Sequence, residues 1–289
     1  MSLNRRPTFK LLALGFTEID KPHPMAEEPN PYAAPSSHVD DVVLPGPESV
    51  RFVPGGRAVP VAHGWNWLVA GWDLYKRNPG AWILIFIIFT AIMMGASWVP
   101  LIGFVAMYIL TPVLIGGVMM GCAALQRGQS LEVSHLFAGF REKTGALVQV
   151  GLLYLAGIVA TLLVVGLIFG FSLLPTLIAQ QQPEVRTAVT VIVLAVLVAL
   201  ALSIPLVMAL WFAAPLVIFH DLPAVDALKT SFTGCLRNIL PFLIYGLLAL
   251  VFAIVASIPL MLGWLLLGPV LMASVYTGYR DIFTEPRTD

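Results

Sequence analysis

Between Arg77 and Arg127 lie 49 residues without a charged side chain, and between Arg237 and Arg280 another 42. A helix crossing the hydrocarbon of a bilayer takes about 20 residues at 1.5 Å each. Each interval therefore holds two spans, turning near Ser97 to Pro100 and near Ser257 to Pro259. The same arithmetic predicts one span within Gly145 to Leu174 and one within Thr187 to Ile218, for a total of six transmembrane helices. Shorter amphipathic stretches precede them. Val225, Leu228, Phe232, Cys235 and Leu236 share one helical face, with Asp226, Lys229, Thr233 and Arg237 on the rest, the pattern of a helix lying on the membrane surface. Trp65, Leu68, Val69, Trp72 and Tyr75 repeat it, and tryptophan suits the headgroup layer. Asp73 and Arg77 form an i,i+4 pair on this stretch.

The ends of the even-numbered helices resemble one another: VPLIGFVAMYILTPVLIGG from Val99, IPLVMALWFAAPLVIF from Ile204 and IPLMLGWLLLGPVLMAS from Ile258. Each opens on an aliphatic-Pro-Leu triplet and carries a second proline 12, 10 and 10 residues later, giving the pairs Pro100 and Pro112, Pro205 and Pro215, and Pro259 and Pro269. LVAGW from Leu68, LFAGF ending at Phe140 and LKTSF ending at Phe232 repeat ahead of the odd helices. Arg77-Asn78 and Arg237-Asn238 follow the first and third of these, whereas the second unit has Lys143-Thr144-Gly145 and an extra segment, PTLIAQQQPEVR. Such self-similarity implies three copies of a surface helix followed by a transmembrane hairpin, over about 61–128, 130–221 and 222–283. Pro100 and Pro259 fall at helix starts, where a missing donor costs nothing. Pro205 sits inside an uncharged run of about 33 residues and is read as an internal bend, and the second proline of each pair as a kink. The prolines either shape packing or surround a cavity that gates.

Composition agrees with a polytopic membrane protein: 58% of the 289 residues are hydrophobic, 11% are charged, and the mean hydropathy is +0.89. Sixteen basic side chains balance sixteen acidic ones, so no overall field invites nucleic acid. Arg51, Arg57, Lys76, Arg77, Arg127, Arg141, Lys143, Lys229, Arg237, Arg280 and Arg287 fall on one side of the membrane and Arg186 alone on the other, which puts both termini in the cytoplasm. Residues 1–60 hold ten of the 22 prolines and seven of the sixteen acids, without an apolar run that would serve as a secretion signal. They read as a disordered, proline-rich cytoplasmic tail; residues 61–283 form the membrane domain and 284–289 a short tail. Met25 opens MAEEPNPYAAP, and translation is expected to start there rather than at Met1.

Candidate chemistry is sparse. No metalloprotease, P-loop, nucleophile-elbow or paired-cysteine pattern occurs, and Cys122 and Cys235 are isolated in apolar sequence. No catalytic, cofactor or metal residue is assigned. No Asp, Glu, Lys, Arg or His falls within a span, which argues against proton-coupled transport. Gln149 is the polar span residue to watch, and GVMMG at Gly117 and GLIFG at Gly166 fit close helix contacts. Only a spatial cluster of His63, His135, His220 and Asp221 would suggest an enzyme acting on lipid.

Three blocks, NPYAAPSSHVDDV (Asn30 to Val42), FVPGGRAVPVAHGWNWLVAGWDLYKRNPGAW (Phe52 to Trp82) and APLVIFHDLPAVDALKTSFTGCLRNILPFLIY (Ala214 to Tyr245), resemble an uncharacterised family of proteobacterial inner-membrane proteins. More distantly, the spacing of Ala227, Leu228, Lys229, Ser231 and Asn238 is similar to one in the membrane domain attached to some glycerophosphodiester phosphodiesterases, although no hydrolase domain is present here. The resemblance implies compartment and topology and carries no activity. The expected function is non-enzymatic, in structure, assembly or lipid environment, with membrane lipids and another inner-membrane or cytoplasmic protein as partners. The alternative is a carrier or channel for an uncharged or lipidic molecule.

Overall fold

The computed structural model describes residues 50–179 and 184–286, which fall in one compact unit, 43–289. The tail before residue 50, the Met25 start and Arg287 lie outside the described residues. The unit is α-helical: α1 (His63–Arg77), α2 (Pro79–Ser97), α3 (Ile102–Gln126), a 3-10 helix η1 (Val133–Phe140), α4 (Thr144–Ile178), α5 (Val185–Trp211), α6 (Ala213–His220), α7 (Ala224–Arg237), α8 (Ile239–Ser257) and α9 (Trp264–Phe283). A short strand β1 (Val50–Phe52) pairs antiparallel with β2 (Thr284–Pro286). Residues 50–60, expected in the tail, thus belong to the fold: Val53 N and Arg57 N donate to Phe283 O and Ile282 O.

Five segments among the described residues are long and apolar enough to cross a membrane: Pro79–Ser97, Ile102–Gln126, Thr144–Phe171, Val185–His220 and Ile239–Ser257. The expected sixth helix exists as α9 but is not among them, because polar groups including Thr277, Arg280 and Asp281 fill its last turns.

Local chemistry sets the boundaries. Asn78 ends α1 and opens α2, its side chain accepting from Ala81 N while Pro79 takes the first helical position. Pro112, Pro205 and Pro269 lie inside continuous helices. Pro100 and Pro259 lie in the turns before α3 and α9. The expected kink at Pro215 is instead a break three residues earlier, at Phe212. There the Ser231 hydroxyl of α7 donates to Met208 O (2.7 Å) and accepts from Phe212 N (2.9 Å), occupying both ends of a helical hydrogen bond. Pro215 follows in the first turn of α6, where an amide would find no helical partner anyway.

The surface helices pack by other stripes than their hydrophobicity suggests. In α1 the buried line is Gly64, Trp67, Leu68, Gly71, Leu74 and Tyr75, against α8 and α9, while Trp65, Val69 and Trp72 remain exposed. In α7 it is Ala224, Ala227, Ser231, Gly234 and Cys235, against α5, and Val225 and Leu236 face outward. Small residues let the backbones approach, alongside the buried Trp67, Leu68, Leu74 and Tyr75 of α1, while Trp65, Val69, Trp72, Val225 and Leu236 stay exposed.

Candidate functional site

One end of the molecule is tied together by side chains that reach from one connecting segment to another. Arg77 Nη1 donates to Leu125 O (2.7 Å) at the end of α3, and Asn78 Nδ2 donates to Leu131 O (3.1 Å), so both hold the segment entering η1. Arg237 Nη1 donates to Gly56 O (2.6 Å), while Asn238 accepts from Val59 N and donates to Arg57 O, so both hold the segment entering α1. Lys143, after η1, pairs with Asp221 in the segment entering α7. The expected Asp73–Arg77 pair is absent: Asp73 binds Lys76 (2.8 Å), because the Arg77 fork is committed to a helix C-terminal carbonyl. Asp281 of α9 collects Arg57 (3.0 Å), His63 (2.7 Å) and the Trp67 indole (2.8 Å) on its carboxylate.

Among the described residues, His63, His135 and His220 do not converge. His63 meets Asp281, His135 caps η1 with Glu132, and His220 meets the Tyr279 hydroxyl (2.6 Å) and stacks on Phe52 at 4.0 Å. Asp221 binds Lys143. A crevice of about 500 Å³ at this end, bounded by Asp73, Arg77, Gln126, Arg280, Asp281 and Glu285, mixes both signs of charge and selects for neither.

Two apolar spaces lie further along the helices. The first is a groove of about 470 Å³ between α1, α8 and α9, lined by Trp65, Val69, Trp72, Phe252, Pro259 and Leu266 among others. Its indoles are 47% and 38% exposed, so the face read from sequence as lipid-facing is the wall of this groove. The second is a cavity of about 310 Å³ where α3, α5, α6 and α9 approach one another, lined by Thr111, Pro112, Ile115, Trp211, Ala214 and Val275. Of the proposed gating prolines, Pro112 lines this cavity and Pro259 the groove. Pro100, Pro205, Pro215 and Pro269 line neither. Of the remaining surface-helix candidates, Phe140 and Lys229 are exposed and Phe232 is half-buried.

The small-residue motifs divide. Gly117 packs on the His135 and Leu136 carbonyls of η1, whereas the described surroundings of Gly166 and Gly170 are open. Gly151 of α4 packs on the Tyr108 carbonyl, the group that Pro112 leaves without a helical donor. Sequence reasoning noted Ser231 only within a motif spacing and missed its role, along with Asp281 and this carbonyl, since each acts through a partner elsewhere along the chain.

In an alignment of 199 positions that takes in 64% of the chain, it is 32% identical to a probable inner membrane protein of Burkholderia thailandensis, 71% of which it covers. No family model matches the sequence, and the distant likeness to the phosphodiesterase-associated membrane domain finds no support. No solved structure matches it.

Proposed function

We propose a function from one premise: the chain belongs to the family of the Burkholderia thailandensis probable inner membrane protein. It is an integral, all-α polytopic membrane protein. In our reading it acts in the inner membrane without enzymatic chemistry, as a structural, lipid-organising component. The observation that carries this is the groove between α1, α8 and α9. Its walls are apolar, its indoles are exposed, and it adjoins the outward leucines of α8, so the occupant that suits it is a lipid acyl chain. The separate engagement of each histidine supports the non-enzymatic part of the reading.

The protein is organised as three related units with six helices in the membrane. Three crossings support this. α9 lies on α1, α3 on η1, and the α5–α6 junction on α7. Gly71 sits against Val270 O and Ser274 N, and Gly139 against Val113 O and Gly117 N. Ser231 binds Met208 O and Phe212 N. Each is the fourth residue of its LVAGW, LFAGF or LKTSF segment. This register places Val207 opposite Pro112 and Pro269, so the proline pair of the second unit is offset from the other two. The side-chain clamps fall at the junctions between units: Arg77 holds Leu125 at the end of the first, with Asn78 on Leu131 in the second, Lys143 holds Asp221 at the end of the second, and Arg237 holds Gly56 ahead of the first. All the basic side chains in these clamps lie at one end, which supports a cytoplasmic position for it and for both termini.

Native mass spectrometry of the protein released gently from its own membrane tests the lipid role. Retained phospholipid should fall several-fold when Trp65 and Trp72 are both replaced by alanine. Unchanged retention, or a stoichiometric protein companion with no lipid, overturns it, and the latter makes the protein an assembly component. The cavity beside Pro112 favours a second reading, a carrier for an uncharged or lipidic molecule. One turn on, Met119 is fully buried, as is Leu216 of α6, so the space is closed toward the clamped end. Ile115→Trp would fill the cavity. Loss of solute flux with groove lipid retained would support the carrier reading.

A further inference from the structure

We propose that the two shorter hairpins, α2–α3 and α8–α9, turn inside the hydrocarbon of the membrane, with acyl chains covering Trp98–Ile102 and Ile258–Leu262. Of the three hairpins, only α4–α5 then has helices that reach the far aqueous phase. The side chains of the two short turns are apolar and open: Leu260 is 91%, Trp98 83% and Leu101 81% exposed. Apart from the Trp98 indole, their few polar side-chain groups are bonded. Ser97 Oγ donates to Met94 O (2.6 Å), Ser257 Oγ to Ala253 O (2.8 Å), and the Trp264 indole to Ser257 Oγ (3.1 Å).

Most of the backbone in the two turns is likewise bonded within the turn, as non-helical chain at membrane depth requires, the amides of Leu101 and Gly263 excepted. Trp98 N and Val99 N donate to Gly95 O and Ala96 O, and Ile102 N and Gly103 N to Pro100 O and Val99 O. In the other turn Ile258, Leu260, Met261, Leu262 and Trp264 donate to Val255, Ile258, Ser257, Pro259 and Met261. Pro100 and Pro259 bring no donor at all, which gives the repeated Pro-Leu triplets a reason in these two units. Leu101, Leu260 and Met261 hold positive φ angles of 64°, 50° and 64°. A turn in water fills such positions with Gly, Asn or Asp. Here apolar side chains are kept despite the backbone cost, as lipid surroundings require.

Length points the same way. α9 crosses the interfacial helix α1 at Ser274, ten residues from Trp264, or about 15 Å of helix. α3 crosses η1 at Gly117, fifteen residues from Ile102, or about 22 Å. Both fall short of a hydrocarbon core of about 30 Å, and the other arms, α2 and α8 at 19 residues or about 28 Å each, no more than match it. By contrast α4 runs 35 residues, about 52 Å, toward a segment that carries Gln180 to Gln182, Glu184 and Arg186.

Cysteine reporters in the full-length protein test this on native membranes. Cys122 and Cys235 are buried, and burial pushes the Cys235 thiol up to about 12, so both stay silent. Glu184→Cys, Ser97→Cys and Ser257→Cys are exposed to an impermeant maleimide in spheroplasts and in inverted vesicles. The expected result is rapid labelling of Glu184→Cys from one side, and at least tenfold slower labelling of the other two from both sides. Labelling of Ser97→Cys or Ser257→Cys as fast as Glu184→Cys overturns the proposal. A nitroxide at Met261→Cys separates lipid from protein cover. Collision with oxygen but not with a nickel chelate is expected, and exclusion of both places the turn in a protein interface and overturns it.

Discussion

Ser231 is the residue on which one crossing turns. Its hydroxyl stands in for a hydrogen bond that α3 and α9 make within their own backbones, where glycines 139 and 71 leave room. Ser231→Ala leaves a buried carbonyl and amide without that partner and should cost about 1–3 kcal/mol. Ser231→Gly should cost less, because α5 and α6 can then join as one helix. Thermal unfolding in detergent ranks the two, and the reverse order would dissociate the break from the hydroxyl. Asp281→Ala should loosen a different place: with Arg57, His63 and Trp67 released, hydrogen exchange at Val53 N and Arg57 N should accelerate while exchange in α4 stays unchanged. Neither residue was legible in the sequence. A serine among apolar neighbours carries no hydropathy signal, and the partners of Asp281 lie more than 200 positions away. The only trace was the small fourth residue of LVAGW, LFAGF and LKTSF.

At the scale of the element, the hairpins were legible because a charge-free interval is a one-dimensional signal, and α2 to α5 and α8 follow it closely. The faces of α1 and α7 were legible only in part: Leu68, Tyr75 and Cys235 are buried as the pattern predicts, but hydrophobicity ranks Trp and Leu above Gly and Ala. At the protein contacts of α1 and α7, glycine, alanine and serine sit beside Trp67, Leu74 and Cys235, and the exposed faces keep Trp65, Trp72 and Leu236. The prolines also separate once their surroundings are known. Pro205 is exposed on α5, whereas Pro112 is buried and frees the Tyr108 carbonyl on which Gly151 packs. Pro112→Ala should return a donor to that carbonyl, disturb the contact with α4 and lower the unfolding temperature. Pro205→Ala should stay within about 0.5 kcal/mol of the parent. Equal losses from both would assign the prolines to bending alone.

For the whole molecule, the crossings join α9 to α1, α3 to η1 and α5 to α7, and their orientation relative to the membrane is open to a simple check. Tags on either terminus should resist protease in spheroplasts and be cut in inverted vesicles; digestion of both tags in spheroplasts would invert the orientation. The pairing of the chain's ends was invisible in the sequence, because β1 and β2 are three residues each and lie at opposite ends of the membrane unit. Yet that ladder, with Val50 opposite Pro286, brings the two ends of the folded chain side by side. Where the polypeptide begins is therefore arbitrary with respect to its architecture. A circular permutant that joins these ends and opens at Gly128, a residue at a turn with no neighbour to displace, would thread the same fold from a different origin.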